Sequence, residues 1–235
     1  VQQINSGAGT NEIPQAMEVD QQGNILVTGW FDGTIDADPG PGSSPLSSAG
    51  INDLFVNQYD ANGNLNWARA IGSGGNDSGW DLTVDNAGNV SIVGRFSGTV
   101  DFDPGNGTAN LTALGTMDGF LLRLTNAGNF VWAKPLATNT NHSCTVMAIA
   151  ADTAGNMFLG GIFFGSVDLD PGPNSATTLT NGTYDMFLMK TDASGNFLWG
   201  HGIGGNTTDG LYSLSTDLEG NVYAGGTFVG TVDFD

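Results

Sequence analysis

The chain has 235 residues, with 24 Asp plus Glu against 5 Lys plus Arg and a formal charge of −19. A surface this acidic repels nucleic acid and anionic membranes, so neither is expected as a partner, while clustered carboxylates would attract cations. Apolar residues make up 39% and charged residues only 12%, which excludes a disordered chain, because there is enough apolar surface to bury.

Cys144 is the single cysteine, so no intrachain disulfide can form. No apolar run reaches the roughly 18 residues of a membrane-spanning helix, so no membrane insertion is expected. No leader is recognisable, and any targeting segment is expected to have been removed or to lie outside this sequence. The 37 glycines, with abundant Asn, Asp and Thr and no sustained helical apolar period, predict strands joined by tight turns.

In chain order, residues 1–19 are predicted to hold the end of a preceding unit and a first strand. Ile4 and the Ser6-Gly7 pair match Ile71 and Ser73-Gly74. From Asp20 onward one unit recurs. The turn Asp20-Gln-Gln-Gly23-Asn24 returns at Asp85, Asp152 and Asp217, at spacings of 65, 67 and 65. Eleven residues after each of these Asp stands a Phe: Phe31, Phe96, Phe163 and Phe228. A Gly and an Asp-x-Asp pair follow, with Pro-Gly after the first three pairs. Then come Asp53-Leu-Phe55, Asp118-Gly-Phe120 and Asp185-Met-Phe187, and finally Trp67, Trp132 and Trp199, each just after a Gly-Asn turn. The repeats are therefore set at 20–84, 85–151, 152–216 and a shortened 217–235, all in one domain. A fixed order of landmarks at a fixed period marks a repeat architecture.

Each unit reads as four strands, exemplified by Trp80–Val84, from Asn89 to Val93, Phe120–Leu124 and Asn129–Ala133. Gly in the x-x-Gly-Asn turns supplies the positive φ of a type I turn followed by a bulge, and Asp bonds back to the backbone ahead of it. Runs such as Phe120-Leu-Leu and Met157-Phe-Leu are apolar at successive positions, so both faces of those strands must be covered. A small sheet sandwiched between copies of itself does this. The fold class expected is thus all-β, with β-propeller blades of four antiparallel strands in about three and a half repeats, part of a larger propeller. The Trp and Phe would fill the space between blades. Because Thr231-Val-Asp-Phe-Asp235 copies Thr99-Val-Asp-Phe-Asp103 without the Pro-Gly, the last unit is expected to have only its first two strands. The whole is expected to be the recovered part of a longer protein, with a dimer sharing one ring or an open array as alternatives.

The string Asp-x-x-Gly-Asn, then Phe-x-Gly-(Thr/Ser)-(Val/Ile)-Asp-x-Asp-Pro-Gly, then Asp-x-Phe and Gly-Asn-x-x-Trp resembles the seven-bladed β-propeller repeat family of bacterial secreted proteins. Its Asp-Pro-Gly form looks like the version common in large surface proteins of Bacteroidota. The resemblance covers essentially the whole chain and implies an extracellular or cell-surface bacterial location. It brings no catalytic residues, since propellers host binding, scaffolding and catalysis alike.

The sharpest candidate site is the Asp-x-Asp element: Asp36 and Asp38, Asp101 and Asp103, Asp168 and Asp170, Asp233 and Asp235. In an extended segment, residues two apart point to one side, so the paired carboxylates would face one locus. A structural Ca²⁺ would relieve their repulsion, with Asp53, Asp118 or Asp185 as a further ligand. The alternative is an acidic turn whose carboxylates cap backbone N–H groups. No other cofactor is expected. His142 and His201 do not recur and read as loop residues, Cys144 as a small buried thiol, and Gly72–Gly75 as a connection between blades. Asn76, Asn106 and Asn181 head Asn-x-Ser/Thr triplets to which no role is assigned.

Every strong signal repeats, whereas catalytic constellations break repeat symmetry. The function expected is a non-enzymatic extracellular module: a surface scaffold, adhesion element or filament component. Its partners would be other blades or domains of a longer chain, or a protein or glycan surface. The alternatives are a calcium-assisted carbohydrate- or ligand-binding propeller and, third, a propeller-based polysaccharide-degrading enzyme.

Overall fold

The structure, a computed structural model, describes residues 5–6, 10–180, 182–232 and 234. Ile4, Gly7, Asn181, Asp233 and Asp235 lie outside the described residues. Regular structure among the described residues is entirely β, so no helix is present that could cross a membrane.

The first period contains β1 (Asn5–Ser6), β2 (Glu12–Val19), β3 (Ile25–Phe31), β4 (Thr34–Asp36), β5 (Pro45–Ser47), β6 (Asp53–Tyr59) and β7 (Leu65–Ile71). The second contains β8 (Ser78–Val84), β9 (Val90–Phe96), β10 (Thr99–Asp101), β11 (Asn110–Thr112), β12 (Asp118–Leu124) and β13 (Phe130–Leu136). The third contains β14 (Ser143–Ala151), β15 (Met157–Phe164), β16 (Ser166–Asp168), β17 (Thr177–Leu179), β18 (Asp185–Thr191) and β19 (Phe197–Ile203). They are followed by β20 (Gly210–Thr216) and β21 (Val222–Thr227).

These strands form three four-stranded sheets, β2-β3-β6-β7, β8-β9-β12-β13 and β14-β15-β18-β19, and a two-stranded sheet β20-β21. Strand neighbours in the first and third sheets are antiparallel. Repeated four-stranded sheets in sequence order are what propeller blades are built from. The chain divides into two compact units, one comprising Val1–Ile92, Phe96–Thr112 and Leu122–Ala133, the other Val93–Arg95, Ala113–Leu121 and Lys134–Asp235.

Within each unit the periodicity of the sequence becomes a periodicity of geometry. The first-to-second-strand hairpins carry the same bulge, between Pro14 and Ala16, Val146 and Ala148, and Leu211 and Ser213. Opposite each bulge is a glycine (Gly29, Gly161, Gly226), where a Cβ would lie 2.0–2.2 Å from a carbonyl oxygen of the bulged strand. No larger residue fits there without moving backbone. The hairpin turns are equally uniform. Gly23, Gly63, Gly88, Gly128, Gly155, Gly195 and Gly220 all have φ between 70° and 84°, a conformation glycine adopts without steric cost.

The apolar runs are buried on both faces. All seven residues of β6 are buried. Phe31 packs edge-on against Phe55 with ring centroids 6.3 Å apart, and Phe163 meets Phe187 at 6.4 Å in the same way. In the first unit Ile35 joins the Phe31–Phe55 cluster, and Gly79 of β8 sits against Thr28 and Leu54 of the preceding sheet. In the second unit Leu211 of β20 packs with Ala148 and Met186 of the sheet before it. Trp67 lies on Gly128 in the turn of the following repeat and donates its indole N–H to the Asn126 carbonyl at 3.0 Å. Trp67 is therefore packed on the next repeat, whereas Phe31 and Phe55 pack within their own, with Ile35.

Two details differ from the expected elements. The first and third strands of the second four-stranded sheet begin at Ser78 and Asp118, two residues earlier than Trp80 and Phe120. The recurring Asp belongs to its strand, since Asp53 pairs with Phe31 and Asp185 with Phe163. Short strand pairs β4-β5, β10-β11 and β16-β17 also flank the Asp-Pro-Gly loops. Three residues per strand leave too little alternation to read as strands.

Candidate functional site

The Asp-x-Asp loops are built alike in all three described copies. Asp36 Oδ1 accepts the backbone N–H of Asp38 at 3.1 Å and of Ser44 at 2.7 Å. Asp101 does the same for Asp103 and Ala109, and Asp168 for Asp170 and Ala176. Asp38, Asp103 and Asp170 each accept the N–H of the glycine two residues on, at 2.8 Å. The first Asp of each pair thus closes its loop, and the second caps the Pro-Gly turn.

Strands β4, β10 and β16 end at the first Asp, because the carboxylate of that residue folds back onto the amide of the second. The Ser44 amide, then that of Asp38, holds the Asp36 carboxyl below its ordinary range. Asp53, Asp118 and Asp185 do not join these pairs: no group of three or more His, Cys, Asp or Glu side chains suited to a metal occurs among the described residues. A cation needs converging oxygen donors; here the Oδ1 atom of each Asp is taken up by N–H groups.

Asp53, Asp118 and Asp185 instead sit at the start of the third strand, at 2%, 0% and 3% exposure. Asp118 is well supplied with donors: the amides of Leu114, Gly115 and Thr138, and the Thr138 hydroxyl at 2.5 Å. Asp53 is not. Its Oδ2 accepts the Ala49 amide at 2.7 Å, while its buried Oδ1 has no hydrogen-bond partner among the described residues. The residue 24 positions later, Asp77, is also buried, accepting the amides of Ser73 at 2.7 Å and Ser97 at 3.0 Å. Burial raises the Asp53 carboxyl above its ordinary value, and the Asp77 charge raises it further. Burial also raises Asp77.

The position of Asp77 recurs as Asp209, again 24 residues after its partner Asp185. Asp209 accepts the amides of Gly205 at 2.7 Å and Val229 at 2.9 Å. In the longer repeat between them, Cys144 pairs with Phe163 as Glu12 pairs with Phe31. Sequence reading missed this position because its occupants differ chemically from copy to copy. The Cys144 thiol is buried at 1% exposure, and burial pushes its pKa far up, with the Asp118 charge adding to the effect. A nucleophilic thiolate is the opposite case. His142 Nδ1 accepts the Ser166 amide at 3.0 Å and lies 2.9 Å from the Ser166 hydroxyl. His201 is exposed and stacks at a tilt on Trp199, 5.7 Å between centroids.

Four of the five basic side chains are likewise engaged with structure. Arg69 donates to the carbonyls of Gly128 and Ala127, and Lys134 to that of Gly195. Arg123 pairs with Asp85, and Lys190 with Asp152 at 3.1 Å. Arg123 and Lys190 thereby tie the third strand to the first turn of their own sheet.

No family model matches the chain. Over 192 residues, 70% of the chain, it is 26% identical to an uncharacterized WD repeat-containing protein of Acanthamoeba polyphaga mimivirus. Over 174 residues, 74% of the chain, it is 25% identical to the regulatory protein FlaEY of Caulobacter vibrioides. The matches span only 13% and 17% of those proteins' lengths. The sheets and the WD repeat-containing relative together fit a β-propeller-like repeat module.

Two measurements test the acidic sites. A carboxyl whose pKa is raised on folding stabilises the fold only at low pH, and that stability is lost as pH climbs from the unfolded value through the raised one. Asp53→Asn keeps the acceptor for Ala49 and removes the buried charge. We expect a higher Tm than wild type at neutral pH, with the gap closing as pH falls; a lower Tm at neutral pH would contradict the assignment. For the Asp-x-Asp loops, we expect the same Tm in EDTA and in millimolar CaCl₂. A Tm raised by calcium and returned by the chelator would show a cation site.

Proposed function

We propose that this chain is a non-enzymatic extracellular module of a repeat protein, serving as a surface scaffold, adhesion element or assembly component. The observation supporting this reading is that the recurring polar side chains are engaged with backbone. The Asp-x-x-Gly-Asn carboxylates cap turns, the Asp-x-Asp carboxylates close loops, and basic side chains bind turn carbonyls or turn carboxylates. A general acid or base must reach the proton it transfers, whereas Asp53, Asp77, Asp118 and Asp209 lie buried beneath loops whose amides they accept.

The cell-surface location rests on the resemblance to bacterial secreted propeller repeats, and the Bacteroidota-type Asp-Pro-Gly form is proposed as the closer relationship. The WD repeat-containing relative supports a repeat module. Intact cells of the source organism, treated with protease and probed with an antibody against this chain, test the reading. Loss of the signal from unbroken cells is expected. Protection until lysis, or polysaccharide cleavage abolished by one substitution, would overturn it.

A further inference from the structure

We propose that a polar cavity between the β13–β14 connection and the β16-β17 strand pair binds a single neutral sugar residue. This deepens the adhesion reading by naming a ligand class, and rests on that reading only for its biological purpose.

The cavity measures about 260 Å³ and lies within the second unit. Leu114, Thr138, Asn139, Ser166, Asp168 and Thr177 contribute to its lining. Its volume is below the roughly 300–1,000 Å³ of sites for drug-sized ligands, which suits one ring better than a chain of them.

This cavity stands where the repeats stop being copies. The 67-residue spacing places its two extra residues between Leu136 and Cys144, and Ala137-Thr138-Asn139 follows β13 where Gly72-Ser73-Gly74 follows β7. A side-chain amide therefore stands where the preceding repeat has a glycine. Thr138 is bridged antiparallel to Val167, and the Asp168 amide donates to the Ala137 carbonyl at 2.8 Å, so the segment runs along β16. The hydroxyls differ too. Thr34 shares a hydrogen bond with Ser47, and Thr99 with Thr112, each across its short strand pair at 2.9 Å. Ser166 holds the same register but faces Leu179. Its Oγ instead accepts the Asn139 side-chain amide at 2.7 Å and lies 2.9 Å from His142 Nδ1. Asn139 is exposed yet held, and the Ser166 that holds it is buried.

The groups around the cavity define the ligand. Asp168 Oδ1 is taken by the amides of Asp170 and Ala176, whereas Asp168 Oδ2 and Asn139 Oδ1 accept no hydrogen bond from another described residue. Ser175 and Thr177 share one hydrogen bond at 2.8 Å, so one hydroxyl proton of that pair is left to donate. Two acceptor oxygens beside hydroxyls that donate and accept are the complement of adjacent sugar hydroxyls. Leu114, 62% exposed, offers an apolar contact to the C–H face of a ring. No Lys or Arg is among the described residues lining the cavity, and a chain of charge −19 repels anions, so acidic sugars and phosphates are disfavoured.

The test is titration of the isotope-labelled protein with glucose, galactose, mannose and N-acetylglucosamine, followed by amide chemical shifts, with glycerol and galacturonate as controls. We expect saturable shifts at 137–139, 166–168 and 175–177 with at least one of these sugars at millimolar concentration. The same positions one repeat earlier, at 72–74 and 99–101, should stay unmoved. Asn139→Ala and Thr177→Ala, both at exposed positions, should each weaken binding about threefold to tenfold at unchanged Tm, the effect of one lost hydrogen bond. No saturable shift with any of the sugars, equal shifts with glycerol or galacturonate, or undiminished binding by both variants overturns the proposal. None of these outcomes depends on cellular location, so failure here is separable from failure of the surface reading.

Discussion

A strand apolar on both faces can be stable only if something dry covers both, and this constraint organises the molecule. β6 is buried along its whole length. The side that Phe31 and Phe55 occupy is closed within the sheet's own repeat by Ile35, from the short strand beyond β3. The opposite side is closed by the next repeat, as where Gly79 of β8 admits Leu54 and Thr28. In the second unit Leu211 plays the corresponding part against Ala148 and Met186. A single such sheet would expose the same residues to water, at a cost of about 1.5–3 kcal/mol for each large apolar side chain. Neighbouring sheets are in this sense part of one another's core.

Polar chemistry in this chain serves the same end. A repeat joined by tight turns must satisfy many backbone amides that no strand partner reaches. Asp20 illustrates the device: one oxygen accepts the amides of Gln22 and Asn24, and the other the Asn24 side chain. Asp60, Asp85, Asp152, Asp192 and Asp217 repeat it. Six of the 24 acidic residues serve these turns. The Asn64 side chain and amide lower the Asp60 carboxyl, so its contribution is present above the ordinary carboxylate pKa and lost as pH falls through the lowered value. Asp53 and Asp77 oppose this trend, and stability reflects both.

The fold was largely legible because its landmarks are side chains that a turn or a packed layer tolerates in few variants. Gly in the x-x-Gly-Asn turns, Phe31 and its counterparts, and Asp53 with Phe55 are each required at a fixed place. The candidate site was less legible. The Asp-x-Asp pairs announce two neighbouring carboxylates, but only the loop conformation shows that Asp36 takes the amide of Asp38. Asp77 and Asp209 were hidden because Glu12 and Cys144 occupy the same register elsewhere. A position defined by what it is buried against leaves little trace in a repeat alignment when its chemistry varies.

Hydrogen exchange of the Leu211→Ala protein, followed by mass spectrometry, tests the dependence of each sheet on its neighbour most directly. Leu211 belongs to β20, and its truncation removes about 2–5 kcal/mol of packing. If stacking makes the fold, amides of β18, at residues 185–191, lose protection together with those of 210–227. Loss confined to 210–227, with β18 protected as in wild type, would mean that each sheet stands alone and would contradict the account.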